Sequence, residues 1–140
     1  MLSNRLNAIF AAEMTAVKQF LTHSTMLANE GNHALAQCVR RKSEEAGIHA
    51  AVLRNLGADA LPDETRIGRG VKSMLENDLA LQQDLVPQLT AAIRASTNAT
   101  RQLLEVILVA EERHLDWLEA QLHLIAELGE EEYCASQRTA

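Results

Sequence analysis

The sequence is poor in residues that break or stiffen a chain. Among 140 residues there are two prolines, Pro62 and Pro87, and six glycines, so few positions interrupt a helix. Phe, Trp and Tyr together make up 3%, which argues against a β-sheet core. Two cysteines, Cys38 and Cys134, lie far apart and form no CxxC pair; they read as free thiols in a reducing compartment. No apolar run reaches the length of a membrane span. The N-terminal MLSNRLNAIFAAEMTAVKQF has no signal-peptide h-region. A cytoplasmic protein with no membrane partner is expected. Neither end carries a basic tract, and a net charge of −6 opposes nucleic acid as a partner.

What is present is helical patterning. Hydrophobic residues make up 47%, enough for one domain over residues 1–140 with a core of its own. Apolar residues recur at helical spacing in four long segments, over about 3–29, 33–56, 71–95 and 98–128. Glu30-Gly31-Asn32 is a short break, so the second helix should lie antiparallel to the first. Ser96-Thr97-Asn98 supplies capping residues for the fourth helix. The tail over 129–140 reads as one short extra helix. The remaining connection, over 57–70, is long. A helix of about 24 residues spans roughly 36 Å, and eleven or twelve extended residues reach roughly 36–43 Å. The connection can therefore return to its starting end and make helices two and three parallel. The alternative is an up-down-up-down bundle with one loose loop.

Polar residues interrupt the inward stripes of all four helices. Glu13 shares a face with Leu6, Ile9, Phe10, Val17 and Phe20. Glu45 and His49 share a face with Leu35, Val39, Val52 and Leu53. Gln82 sits between Leu75 and Leu85, and Glu111 with His114 continues the line of Leu104, Ile107 and Leu118. Burying an ionised carboxylate is costly unless something compensates it. Four helices converging at one level point to a site rather than to four separate polar contacts. A Glu-x-x-His pair puts both side chains on one helix face. Carboxylate oxygen with imidazole nitrogen suits iron, manganese or zinc. The candidate ligands are thus Glu13, His49, Glu111 and His114, with Glu45 and Gln82 as further members; a satisfied structural polar cluster is the competing reading. His23, His33 and His123 are assigned surface or interface roles.

Several runs resemble the bacterioferritin family. Glu111-Glu112-Arg113-His114-Leu115-Asp116-Trp117-Leu118-Glu119-Ala120-Gln121-Leu122 is similar to the family's EEEHIDWLExQL run. Leu6-Asn7 through Glu13-Met14-Thr15-Ala16 is similar to its first-helix segment. Short matches follow at His49-Ala50, Arg66-Ile67-Gly68, Met74-Leu75 and Asp78-Leu79-Ala80-Leu81, and in the tail. The resemblance implies an all-α, ferritin-like four-helix bundle with one long crossover. It also implies a homo-oligomeric or mixed ferritin-type cage, storage of iron, ferroxidase chemistry at an intra-subunit di-iron centre, and haem between subunits. The di-iron pattern takes a Glu from each of two helices and a Glu-x-x-His from each of the other two. Glu13, His49, Glu111 and His114 match it. Ala46 and Gln82 stand where the pattern has Glu, and Gly47 stands where the family has the axial haem Met. Four carboxylates balance two divalent irons, whereas Glu13 and Glu111 balance about one. The expectation is one retained metal position near Glu13, His49 and Glu111, a weak second one that Glu45 could swing in to support, and no haem held in the usual way. A non-catalytic subunit that assembles with a competent partner is the alternative.

Overall fold

A computed structural model describes residues 1–139. It contains five helices and, among those residues, no strand: α1 (Leu2–Asn29), α2 (His33–Asn55), α3 (Val71–Arg94), α4 (Asn98–Leu128) and α5 (Glu130–Thr139). The four long helices lie within a residue or two of their expected bounds, and the tail forms the short helix. No helix is long and apolar enough to cross a membrane.

The two helix ends before turns are built alike. The Asn32 N–H bonds Leu27 O at 2.9 Å, and the Ala58 N–H bonds Leu53 O at 3.0 Å, each reaching back five residues. Gly31 and Gly57 sit inside these turns at φ +85° and +98°, a conformation that is costly for a residue with a Cβ. The cap expected from Ser96-Thr97-Asn98 differs. Thr97 is the N-cap of α4 but makes no side-chain cap bond. Ser96 Oγ instead donates back to Ile93 O at 2.9 Å, and Asn98 takes the turn itself at φ 56°.

Two apolar clusters form the core. One gathers Phe20 and Leu27 of α1, Leu35 and Val39 of α2, Val71 and Leu75 of α3, and Leu118 and Ile125 of α4. The other gathers Leu6 and Phe10 of α1, Ala50 and Leu53 of α2, Leu85 and Leu89 of α3, and Leu104 and Ile107 of α4. The early part of α1 therefore meets the late parts of both α2 and α3. Both run antiparallel to α1, so α2 and α3 run parallel to each other. This is the crossover topology, and it excludes the up-down-up-down alternative.

The crossover is strapped to α1 by a row of polar contacts. Asn7 Oδ1 accepts from the Asp59 N–H at 2.9 Å, and Thr15 Oγ1 from the Asp63 N–H at 2.8 Å. Gln19 Oε1 accepts from the Arg66 N–H, and His23 Nε2 from the Gly68 N–H, both at 2.9 Å. The crossover thus climbs α1 from Asn7 to His23. His23 is fully buried, which corrects its assignment to the surface; His33 and His123 are exposed as expected. Because Nε2 accepts, the ring proton lies on Nδ1, which donates to Asp78 Oδ1 at 2.9 Å. Gln19 Nε2 donates to the same oxygen at 2.8 Å. Asp78, 1% exposed, is thereby held from α1 while His23 holds the crossover.

His23→Ala leaves the Gly68 N–H and part of the Asp78 carboxyl buried without partners. The expected loss is about 2–4 kcal/mol of unfolding free energy, with faster amide exchange concentrated over residues 66–68. Urea unfolding and hydrogen exchange check this; a loss within about 0.5 kcal/mol would remove the strap from the determinants of the fold.

Candidate metal centre

Between the two apolar clusters lies a polar layer. Glu13 is fully buried, as is Gln82, and His49, Glu111 and His114 are each at most 7% exposed. Each comes from the helix face assigned in the sequence, so the inward stripes converge at one level.

Glu13, His49 and Glu111 form its centre. Their donor atoms lie within 4.8 Å of one another, and all three residues are buried. His49 Nδ1 stands 3.0 Å from Glu13 Oε2 and 2.7 Å from Glu111 Oε1. Gln82 closes the fourth side: its Nε2 donates to Glu111 Oε2 and to the Glu111 backbone oxygen. Two oxygens are left over. Glu13 Oε1 and Gln82 Oε1 are buried and have no hydrogen-bond partner. Buried oxygens without donors are costly, and both belong to this layer.

The electrostatics follow from burial and contact. Burial is the largest influence on Glu13 and, with the neighbouring Glu111 charge, raises its pKa to about 8. Burial also opposes charging His49, but the two carboxyls outweigh it and raise the imidazole to about 10. Glu111 goes the other way. Burial pushes it up, but hydrogen bonds from His49 and Gln82 bring it below the ordinary carboxylate value. At pH 7 the two carboxyls therefore share one proton, and His49 is an imidazolium. The trio sums to zero charge: a carboxyl pair holding one proton, and a cation.

The remaining positions lie apart from this trio. His114 stacks edge-on against Phe20 with ring centroids 5.1 Å apart and lies 6.2 Å from the Trp117 ring centroid. Burial, then the Lys42 charge, lowers it to about 4, so the ring is neutral. Glu45 turns outward and faces Lys42 Nζ at 3.8 Å. One residue along a helix is a rotation of about 100°, and the inward direction at this turn belongs to Ala46, which packs in the core at 3% exposure. Gly47 leaves room beside it: a Cβ built there would meet only Val17 Cγ2, at 3.9 Å.

Similarity to known proteins extends over nearly the whole chain. The family model for the ferritin-like domain matches residues 3–128. A bacterioferritin of Mycobacterium leprae is 36% identical, and bacterioferritin BfrA of Mycobacterium tuberculosis 38%; each alignment covers 93% of this chain and 89% of the relative. A bacterioferritin of Brucella melitensis is 34% identical over 92% of this chain and 87% of its own length. With its crossover bundle and its polar layer at mid-length, the chain belongs to the bacterioferritins of the ferritin-like family.

Proposed function

We propose that this chain is an iron-binding, iron-storage subunit of a ferritin-type cage whose bundle core holds one divalent metal ion tightly. Glu13, His49 and Glu111 are its ligands. The observation that carries this reading is the buried trio with its two unpartnered oxygens, Glu13 Oε1 and Gln82 Oε1. Carboxylate, imidazole and amide oxygen suit ferrous iron, with manganese or zinc as substitutes.

Charge argues for one metal rather than two. The metal-free trio is neutral with two protons in place. One divalent cation displaces both protons, one from the carboxyl pair and one from His49. The result is two carboxylates, a neutral imidazole and a double positive charge, again neutral. A second divalent cation would add two uncompensated charges in a low-dielectric interior. The positions that would offset them are Ala46 and Gln82. The Gln82 amide also takes Glu111 Oε2 by hydrogen bond. His114, neutral and apart from the trio, marks the second position, and Glu45 stays with Lys42 outside it.

Bound ferrous iron supplies an electron for reducing oxygen. Two-electron reduction of oxygen takes two ferrous ions, one electron from each, so a one-metal centre is a slow ferroxidase. This favours the second reading, a metal-binding subunit that assembles with a competent partner. The usual haem does not fit these residues, because Gly47 brings no sulfur where the family places its axial Met. Cys38 and Cys134 are free, in keeping with a reducing cytoplasm.

Two measurements test the centre. The purified chain is expected to bind about one Fe2+ or Zn2+ tightly per subunit. Glu111→Ala abolishes that binding, and Ala46→Glu with Gln82→Glu together raises it to about two and speeds iron-dependent oxygen consumption. Two tight ions in the unaltered chain would overturn the one-metal reading. Zn2+ binding is also expected to release about two protons per ion near pH 7. Affinity then rises with pH, most steeply below the Glu13 value of about 8 and more gently up to the His49 value of about 10. Titration with a pH indicator reads the release, and pH-independent affinity between 6 and 8 would contradict the exchange of protons for metal.

A further inference from the structure

The polar layer is not sealed equally on all sides. Glu13 of α1 and Gln82 of α3 are fully buried, whereas the side chains of His49 and Glu111 keep 9% and 7% of their surface. Those two come from α2 and α4, the neighbouring long helices that touch least. The other flank of α2 is closed, since Ser43 Oγ donates to Val17 O of α1 at 2.7 Å. The open side of the trio is therefore the seam between α2 and α4, and an ion from solvent reaches the ligands there.

Lys42 stands on this seam. It precedes His49 by seven residues, two turns of helix, so both lie on one edge of α2 with about 10 Å between them along the axis. Its side chain is 25% exposed, and its ammonium lies 3.8 Å from Glu45 Oε2. The early part of α2 meets the late part of α4 in one apolar cluster, and the reverse holds in the other, so the two helices are antiparallel. His114 is accordingly displaced from Glu111 in the same direction as Lys42 from His49. The Lys42 charge is felt across the seam: after burial, it is the largest influence holding the His114 imidazole down.

We propose that Lys42 is an electrostatic gate on metal entry: its ammonium opposes a divalent cation passing along the α2–α4 seam to Glu13, His49 and Glu111, and sets the rate of uptake without being a ligand. This rests on the reading of the trio as a metal centre. The metal-free trio is neutral, so it exerts no net pull on a cation that has yet to arrive, and the field along the seam is set by the charges at its mouth. Glu45 offsets Lys42 only in part. Its side chain is 38% exposed against 25% for Lys42, so the positive member is the deeper of the two and the less screened by water. An ammonium has no lone pair with which to hand a metal inward. A neutral oxidant such as dioxygen passes the same seam without this penalty, so the gate slows the cation and not its co-reactant.

Stopped-flow uptake of Zn2+ by the full-length protein, read as loss of free ion with an indicator dye, tests the gate, and displacement by a chelator reads release. Lys42→Met keeps the bulk and removes the charge. It is expected to take up Zn2+ about threefold to tenfold faster at low ionic strength, with the gain vanishing by about 0.5 M salt. Lys42→Arg keeps the slow uptake of the unaltered chain. Lys18→Met makes the same change in net charge at an exposed position of α1 and leaves the rate as it was. Release from Lys42→Met stays within about twofold of the unaltered chain, and the stoichiometry stays at about one ion per subunit. Were Lys42 only a brace for the seam, Lys42→Met would quicken uptake and release together at any salt. That pattern, or equal uptake by Lys42→Met and the unaltered chain, overturns the gate and leaves the ligands standing. An unaltered chain that binds no Zn2+ overturns the trio as a centre and the gate with it.

Discussion

The imidazole of His49 held between the carboxyls of Glu13 and Glu111 is the contact on which the rest of the bundle turns. Two acids and a base from three helices are buried at mid-length, where an isolated ion would be prohibitively costly. They persist because each compensates another. Burial raises the pKa of Glu13, the carboxyls raise that of His49, and donors from His49 and Gln82 hold that of Glu111 low. The core divides around this layer, with one apolar cluster on each side. Packing in either cluster therefore sets the spacing of the trio. A shift of one helix by a single residue would carry its member out of the layer, as Glu45 shows by facing Lys42 where Ala46 faces inward.

The same accounting links the two substituted positions. Ala46 removes a charge and fills the space with core packing. Gln82 removes a charge but keeps the hydrogen-bonding reach, and its amide takes the Glu111 oxygen farthest from His49. A layer with Glu at both places would need cations in order to be stable. This layer needs only protons. The layer is thus balanced by its own protons, and under the proposed function a metal would enter by replacing them rather than by rescuing an unbalanced cluster. That property suits a subunit that must fold and assemble before it meets iron.

Much of this was legible in the sequence because the polar layer interrupts regular stripes. Glu13, His49, Gln82, Glu111 and His114 each break an apolar run at helical spacing, and the break itself marks the inward face. A length argument allowed the crossover topology but left the up-down-up-down alternative open, and the two apolar clusters exclude it. His23 and Asp78 were not legible in the same way. Their burial depends on a segment without secondary structure lying along α1, and no periodicity in α1 announces a backbone partner such as the Gly68 N–H. A clue was nonetheless present: Asn7, Thr15, Gln19 and His23 recur at intervals of four or eight residues, a polar stripe beside the apolar one. Such a stripe on a helix next to a long connection is a signature of a strapped crossover. How Ser96-Thr97-Asn98 would end the turn was equally hidden, since the sequence does not announce the positive φ of Asn98.

These two sets of contacts make α1 the most constrained element of the chain. One face supplies Glu13 to the metal layer; the adjoining face supplies Thr15, Gln19 and His23 to the crossover, and all of them are buried. Gln19 and His23 also hold Asp78 of α3, one turn before Gln82. The position of Gln82 against Glu111 is therefore fixed from two directions, by its own amide and by the strap acting through Asp78. Loosening the crossover would let α3 slide along α1 and so move Gln82 away from Glu111, raising the Glu111 carboxyl and disturbing the proton balance of the trio. The polar strap and the metal layer are separate sites in space, but through α3 they set one register, and topology and chemistry in this bundle are not independent.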